Sequence, residues 1–215
     1  MAENTSLSKV AKLLITKVCH DLAGPIGAVS NGVEFLSESA GDKDMTEKSI
    51  SLLQLSSLEG SVKLQVARQA FGIINQAGDK SPLSQLKELL GTFLTHNKIN
   101  IIWLADSIND INHTTRQILI NLILIATASL IRGGKIEVSI NQADRKTSLK
   151  IKAEGPQLKF DDSHKSIINN KLGIDEITPH TAQIYFTVLL IGEIGATLSP
   201  AYGEERLELT VSNIE

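Results

Sequence analysis

The stretch Cys19-His20-Asp21-Leu22-Ala23-Gly24-Pro25-Ile26-Gly27 sits near the middle of a long helical pattern running from Leu7 to about Ser39. With about 100° per residue in an α-helix, Leu7, Ala11, Leu14, Val18, Leu22, Ile26, Val29, Val33 and Leu36 fall within a band of about 120°. His20 lies about 180° from the middle of that stripe, so its ring is expected to point into solvent. The same outward face carries Lys9, Leu13, Thr16, Ala23, Gly24, Gly27, Asn31, Glu34 and Glu38. Around the histidine the helix surface is therefore made of very small side chains.

Each glycine inside a helix costs about 1 kcal/mol relative to alanine. Pro25 removes a backbone hydrogen bond and presses on the Asp21 carbonyl, worth about 3 kcal/mol. Two readings follow. Gly24-Pro25 ends one helix and begins another, leaving His20 as a solvated surface residue, or the helix runs through the proline. The apolar stripe crosses Pro25 without a change of phase, which makes the continuous helix the simpler account.

An exposed imidazole ringed by alanine and glycine is what in-line phosphoryl transfer from another protein requires. The nucleophile must be neutral at cytoplasmic pH, which an exposed imidazole, titrating at about 6.5, mostly satisfies. Its surroundings must be low enough for an acyl-phosphate pocket to reach it. Asp21 is placed to hydrogen-bond the second ring nitrogen and offset positive charge. Neighbours in sequence diverge on a helix, so Asp21 also reads as an ordinary surface carboxylate. Leu13, Thr16, Lys17, Ala23, Gly24 and Gly27 are the expected docking residues.

The rest of the chain sets limits on the partner. In 215 residues, 21 Lys plus Arg stand against 24 Asp plus Glu, a net charge of -3, which argues against a phosphate-neutralising nucleic-acid binder. Aromatic residues make up only 4%, too few for base-stacking platforms. The single Cys19 allows no internal disulfide and no cysteine-rich zinc site, so a reducing cytoplasm is the expected home. The first residues have no apolar core of a signal peptide. The longest apolar stretch, Ile118 to Ile131, contains Asn121, Thr127 and Ser129 and falls short of the roughly 20 residues that span a bilayer. No membrane association is expected.

A second helical pattern, about Met45 to Gln76, follows the break AGDKD, and Ala77-Gly-Asp-Lys-Ser-Pro82 closes the region. A domain boundary is placed there, giving a helical hairpin over residues 1–79 and a second domain over 80–215. In the latter the patterns predict a helix at Leu83 to Thr95, a strand at Ile99 to Leu104 and a buried helix from about Thr114 to Ile131, ended by Gly133-Gly134. Strands KIEVSIN and SLKIKAE come next, then a polar stretch. A helix from Pro179 to about Gly192, with the proline in its first turn, precedes the closing strands TLSPAY and RLELTVS. The expected fold class is α+β: a helical hairpin followed by an α/β sandwich, with helices on one face of a mixed sheet.

The segment from Cys19 to Ile26 resembles the H-box of sensor histidine kinases, in which a phosphorylated histidine is followed by an acidic residue and, five positions on, by proline. HDLAGPIGAVSNGVEFL, together with LQVARQAFG in the second helix, looks like the ChpT-type histidine phosphotransferases of bacterial phosphorelays. The resemblance covers nearly the whole chain. It implies a hairpin that dimerises as a four-helix bundle, followed by a degenerate kinase ATPase-like domain. It further implies phosphoryl transfer through His20, assisted by Asp21. The partners would be receiver domains of a hybrid histidine kinase and of response regulators, with no cofactor bound by this chain and Mg2+ supplied by the receiver.

An active kinase of that architecture binds ATP through an Asn-bearing helix, an Asp-x-Gly-x-Gly turn and a Gly-rich lid. Here Ile125 stands at the magnesium-ligating position, Ala153 replaces the adenine-reading Asp, and Gln157 replaces the second glycine. Pro179-His-Thr-Ala-Gln183 leads into the last helix without a Gly-x-Gly lid. The losses point to a pseudokinase. An alternative register, with Asn121 or Glu154 serving an ATP site, leaves the missing glycine and lid unexplained. Gly24, four after the histidine, cannot orient a hydrolytic water as polar residues there do, which favours reversible transfer. A non-catalytic scaffold that binds response regulators, and an ATP-dependent histidine kinase, remain as rival functions.

His96, His113, His164 and His180 fit no metal-binding spacing. His113, before Thr114-Thr115, reads as a capping or loop residue. The second helix is apolar on more than one face, with Ile50, Leu53, Leu55, Leu58, Val62, Val66, Phe71, Ile73 and Ile74, and one hairpin cannot bury so much. A homodimer is therefore expected from packing as well as from the resemblance. Gln65 and Arg68 read equally as partner contacts or solvated residues.

Overall fold

The computed structural model describes residues 2–39, 41–72, 80–104, 108–143, 146–169 and 171–214, leaving aside the side chains of 2–7, 80 and 81. Helix α1 (Ala2–Glu38) runs unbroken through Pro25. Helix α2 (Lys43–Phe71) returns against it, opened by Asp42, whose carboxylate accepts from the Met45 N–H. The seam between them is made of small residues. Pro25 is buried, and a Cβ added to Gly60 would lie 3.5 Å from the Pro25 Cβ. At Gly32 a Cβ would lie 2.8 Å from the Leu53 Cγ, and Ser49 and Ser56 are buried in the same seam.

The second part begins with β1 (Lys80–Pro82), α3 (Leu83–His96), β2 (Ile99–Trp103) and β3 (Asp110–Asn112). Helix α4 (His113–Ser129) leads to β4 (Gly134–Ala143), β5 (Lys146–Glu154) and α5 (Asp162–Ile168). Helix α6 (Ala182–Glu193), β6 (Thr197–Tyr202) and β7 (Arg206–Ile214) complete it. The main sheet has the order β2-β4-β5-β7-β6, antiparallel except for the parallel pair β2 and β4. It is the mixed sheet that the strand patterns predict.

Alternation decides its two faces. Ile136, Val138, Leu149, Ile151, Leu207 and Leu209 turn inward and are essentially inaccessible. The outer face carries cross-strand ion pairs, Lys152 to Glu137 at 3.6 Å and Lys150 to Glu208 at 3.0 Å. Helix α4 packs against this sheet on one side and against α2 and α6 on others. Ile118, Leu119, Ile120, Leu122 and Ile123 are all fully buried, which accounts for the long apolar run. Gly133 and Gly134 turn the chain out of α4 with φ of 78° and 151°, and a Cβ at Gly134 would strike the Glu154 carbonyl.

Three side chains of α4 join the two parts. The last carbonyls of a helix have no partner within it, and at the end of α2 they are met by Asn121 Nδ2, which donates to Ala70 O at 2.8 Å, and Gln117 Nε2, at 3.1 Å to the same oxygen. Arg116 Nε donates to Gln69 Oε1 at 2.9 Å.

Several expectations are corrected. Pro179 lies in the turn before α6, not in its first turn, because Thr181 takes the cap position. The polar stretch contains α5, capped by Asp161, and the short pair β1–β3 was not legible in three-residue runs. The apolar stripe of α1 divides: Leu14 is buried and Val18 and Leu22 are half-buried, whereas Ile26, Val33 and Leu36 are exposed. The cap at α4 is Asn112, whose side chain accepts from Thr115 N, with His113 as the first helical residue. The expected boundary between residues 79 and 80 adjoins 73–79, which, with Ile73 and Ile74, lie outside the described residues.

Candidate functional site

His20 projects from the middle of α1 with its side chain 87% exposed. Asp21 is half-buried beside it, with Oδ1 3.6 Å from His20 Nδ1, a close electrostatic neighbour but beyond hydrogen-bond length. The expected hydrogen bond between them is therefore replaced by a looser contact. The other oxygen of Asp21 accepts from Lys17 Nζ at 2.9 Å.

Downstream of the ring the surface is empty. Ala23, Gly24 and Gly27 are exposed, and a Cβ added to either glycine would meet nothing within 4 Å. Among the described residues no packing requires these glycines, in contrast to Gly32 on the seam. Thr16 is exposed, with its hydroxyl donating to Lys12 O at 2.9 Å.

Two expected docking residues are placed differently. Leu13 is half-buried and packs against the core, and Lys17 is half-buried in a cleft shared with Val66, Phe93 and Leu124. The second domain lies along this flank of α1, so angular position on an isolated helix overstated their exposure. Gln65 and Arg68 are exposed on α2.

An apolar groove of about 640 Å3, not anticipated from the sequence, lies between α1, α2 and α6 next to Cys19. Leu14, Val18, Leu64, Phe71 and Phe186 line it, with Arg68 and Glu193 among the polar residues. The nearly uniform apolar character of α6 was the available signal, since a helix covering a sheet on one side needs no second apolar face.

Of the residues the resemblance put at lost nucleotide positions, Ile125 and Ala153 are buried in the core and Gln157 is exposed. Asn121, the alternative ligand, is fully buried; its amide donates to Ala70 and Gln117 carbonyls. It is committed to the joint between hairpin and sheet. Glu154 is partly exposed, 3.9 Å from Lys152. Among the described residues no group of three His, Cys, Asp or Glu side chains is arranged to hold a metal ion.

Two other histidines are perturbed, both away from this surface. Burial pushes His164 below the ordinary imidazole range, outweighing Asp161, whose Oδ1 is 2.8 Å from its Nδ1. Burial and then the charge of Arg116 push His113 down as well.

Residues 83–206 match the histidine phosphotransferase C-terminal domain, more than half of the chain. The chain belongs to the histidine phosphotransferase family. It is 27% identical over 187 residues to the protein phosphotransferase ChpT of Brucella abortus (strain 2308), covering 87% of each chain. A 1.7 Å structure of a bacterial phosphotransferase superposes with a TM-score of 0.79 at 27% identity, covering 94% of this chain and 95% of that one. The matched domain begins after the hairpin, and the two relatives extend the likeness over nearly the whole chain. As a histidine phosphotransferase, the chain is a component of phosphorelay signalling, and its helical hairpin followed by a mixed sheet with helices is the expected α+β fold.

Proposed function

We propose that His20 is the phosphoryl carrier, receiving the group from the aspartyl phosphate of one receiver domain and passing it to the aspartate of another. The observation that supports this is the exposed imidazole at the centre of a helix surface cleared by Ala23, Gly24 and Gly27. In the forward step the Nε2 lone pair forms an N–P bond, the P–O bond to the donor breaks, and the electron pair leaves with the donor carboxylate. Asp21 offsets the positive charge that develops on the ring. Magnesium belongs to the receiver, where it neutralises the transferring phosphoryl oxygens. Thr16, Ala23, Gly24 and Gly27 form the docking surface, with Leu13 and Lys17 at its half-buried flank.

The division of labour follows residues 1–79 and 80–215. The hairpin dimerises: Ile15, Ile26 and Val33 stay exposed on α1, stepping by about 20° at intervals of eleven and seven residues. Leu55 and Leu58 do so on α2. A second copy covers these faces in a four-helix bundle. The second domain does not fuel transfer from ATP, because an isoleucine and an alanine occupy the metal and adenine positions and Asn121 is engaged in structure. Among the described residues no helix is long and apolar enough to cross a membrane; the cytoplasm is the proposed location.

The test is transfer from a labelled, phosphorylated receiver domain, and separately from labelled ATP with magnesium, to the wild type and to His20→Ala. Label on the wild type alone, and from the receiver alone, supports the carrier. Receiver binding without label favours a scaffold, and label from ATP favours a kinase.

A further inference from the structure

Side chains adjacent in sequence diverge by about 100° on a helix, so Asp21 has no intrinsic reason to face His20. It is held there from the other side. Lys17 is three residues before His20 and four before Asp21, which puts all three on one patch of α1. Its ammonium takes Asp21 Oδ2 at 2.9 Å, leaving Oδ1 3.6 Å from His20 Nδ1. Lys17 is itself constrained, being half-buried in the cleft between the hairpin and helices α3 and α4, against Val66, Phe93 and Leu124. The result is a relay of contacts running from a buried flank of the molecule to an exposed ring.

A neutral imidazole attacks phosphorus through the nitrogen that lacks a proton, and a partner at the opposite nitrogen sets which one that is. We propose that Lys17 is a positioning residue for phosphoryl transfer at His20: it orients the Asp21 carboxylate toward Nδ1, favouring the tautomer with the proton on Nδ1 and the lone pair on Nε2. This rests on His20 being the carrier. When Nε2 bonds to phosphorus and the donor leaves with its electron pair, the ring becomes cationic with Nδ1–H directed at Asp21. In return transfer the N–P bond breaks, its electron pair returns to Nε2, and the same tautomer is regenerated. Lys17 never touches the phosphoryl group. This role differs from docking, in which Lys17 would contact the partner.

The experiment uses the full chain and needs no partner. Lys17→Met, Lys17→Arg and His20→Ala are compared with wild type at mildly alkaline pH. Nitrogen-15 NMR reads the His20 tautomer, and phosphorus-31 NMR follows phosphohistidine formed from phosphoramidate. Wild type is expected to hold a larger share of the Nδ1–H tautomer than free histidine does. In Lys17→Met the Nδ1–H share falls to that of free histidine, which favours the proton on Nε2, and phosphorylation slows about tenfold, the low end of what orienting partners contribute at metal-ligating histidines. Lys17→Arg restores both readings. An unchanged tautomer ratio in Lys17→Met overturns the proposal even if the rate falls, since the lost charge then acts on the reagent alone. Failure of Lys17→Arg to restore the tautomer also overturns it. Equal phosphorylation of His20→Ala and wild type removes the carrier reading instead, while the tautomer measurement still decides what Lys17 does to the ring.

Discussion

Asn121 on α4 donates its side-chain amide to the carbonyl oxygen of Ala70 at the end of α2, 2.8 Å away, with the asparagine fully buried. This asparagine fastens the helical hairpin to the sheet domain. Its second amide hydrogen bond goes to Gln117 O at 2.9 Å, and Gln117 itself reaches Ala70 O. Replacing Asn121 by Leu leaves buried carbonyl capacity unmet, which costs about 1–3 kcal/mol. Urea unfolding is expected to show a lower midpoint; an unchanged midpoint would mean that Gln117 suffices.

The glycines of α1 separate by role. Gly24→Ala meets nothing within 4 Å and gains helix propensity, so it should stabilise the protein by up to about 1 kcal/mol while slowing transfer from a receiver. Gly32→Ala places a Cβ 2.8 Å from Leu53 Cγ and should destabilise by about 1–3 kcal/mol. Thermal melts of the two variants, with transfer rates, check both signs. If Gly24→Ala transfers at the wild-type rate, the cleared surface has no docking role.

The exposed apolar faces of α1 and α2 make oligomeric state a sharp observable. Ile26→Glu puts a charge on a side chain that is already 60% exposed in the single chain, so the fold should survive. Sedimentation should give a dimer for wild type and a monomer for Ile26→Glu. A monomeric wild type would contradict the four-helix bundle.

How far this was legible from sequence can be seen in α1 itself. Continuity through Pro25 followed from the unchanged phase of Val18 and Leu22 before it and Ile26 and Val29 after it, and the exposure of His20 from lying opposite that stripe. The division of the stripe did not, because periodicity measures direction around one helix, and burial depends on what lies on each side. Lys17 and Leu13 were misjudged for that reason: the second domain covers their flank. The strands of the main sheet showed in their alternation, as at Ile136 and Val138, whereas β1 and β3 are too short to alternate. The commitment of Asn121 to Ala70 links residues 51 positions apart, and no local pattern encodes such a pair.

His164 supplies a pH dependence of stability. Burial lowers its proton affinity in the folded chain, so the unfolded chain binds a proton first as pH falls. Its contribution is fully present above the unfolded value, about 6.5, and declines as pH drops from there toward the folded value. Asp161, held low by the Ser163 hydroxyl and then by His164 and nearby charges, acts in a separate window below the ordinary carboxylate value. His164→Gln should therefore flatten the fall in melting temperature between about pH 7 and 5. An equally steep fall in the variant would assign the effect elsewhere, with His113, lowered in the same direction, the next group to replace.

The central claim is that His20 carries the phosphoryl group, and the most direct measurement is a site-resolved one. Phosphorylated receiver domains from the same organism are incubated with the full chain, and the acid-labile, alkali-stable phosphate is located by mass spectrometry, with His20→Ala in parallel. Phosphate on His20, appearing as the receiver loses it and absent from the variant, is the expected result. A receiver that keeps its phosphate, or label on the chain that survives His20→Ala, would contradict the account.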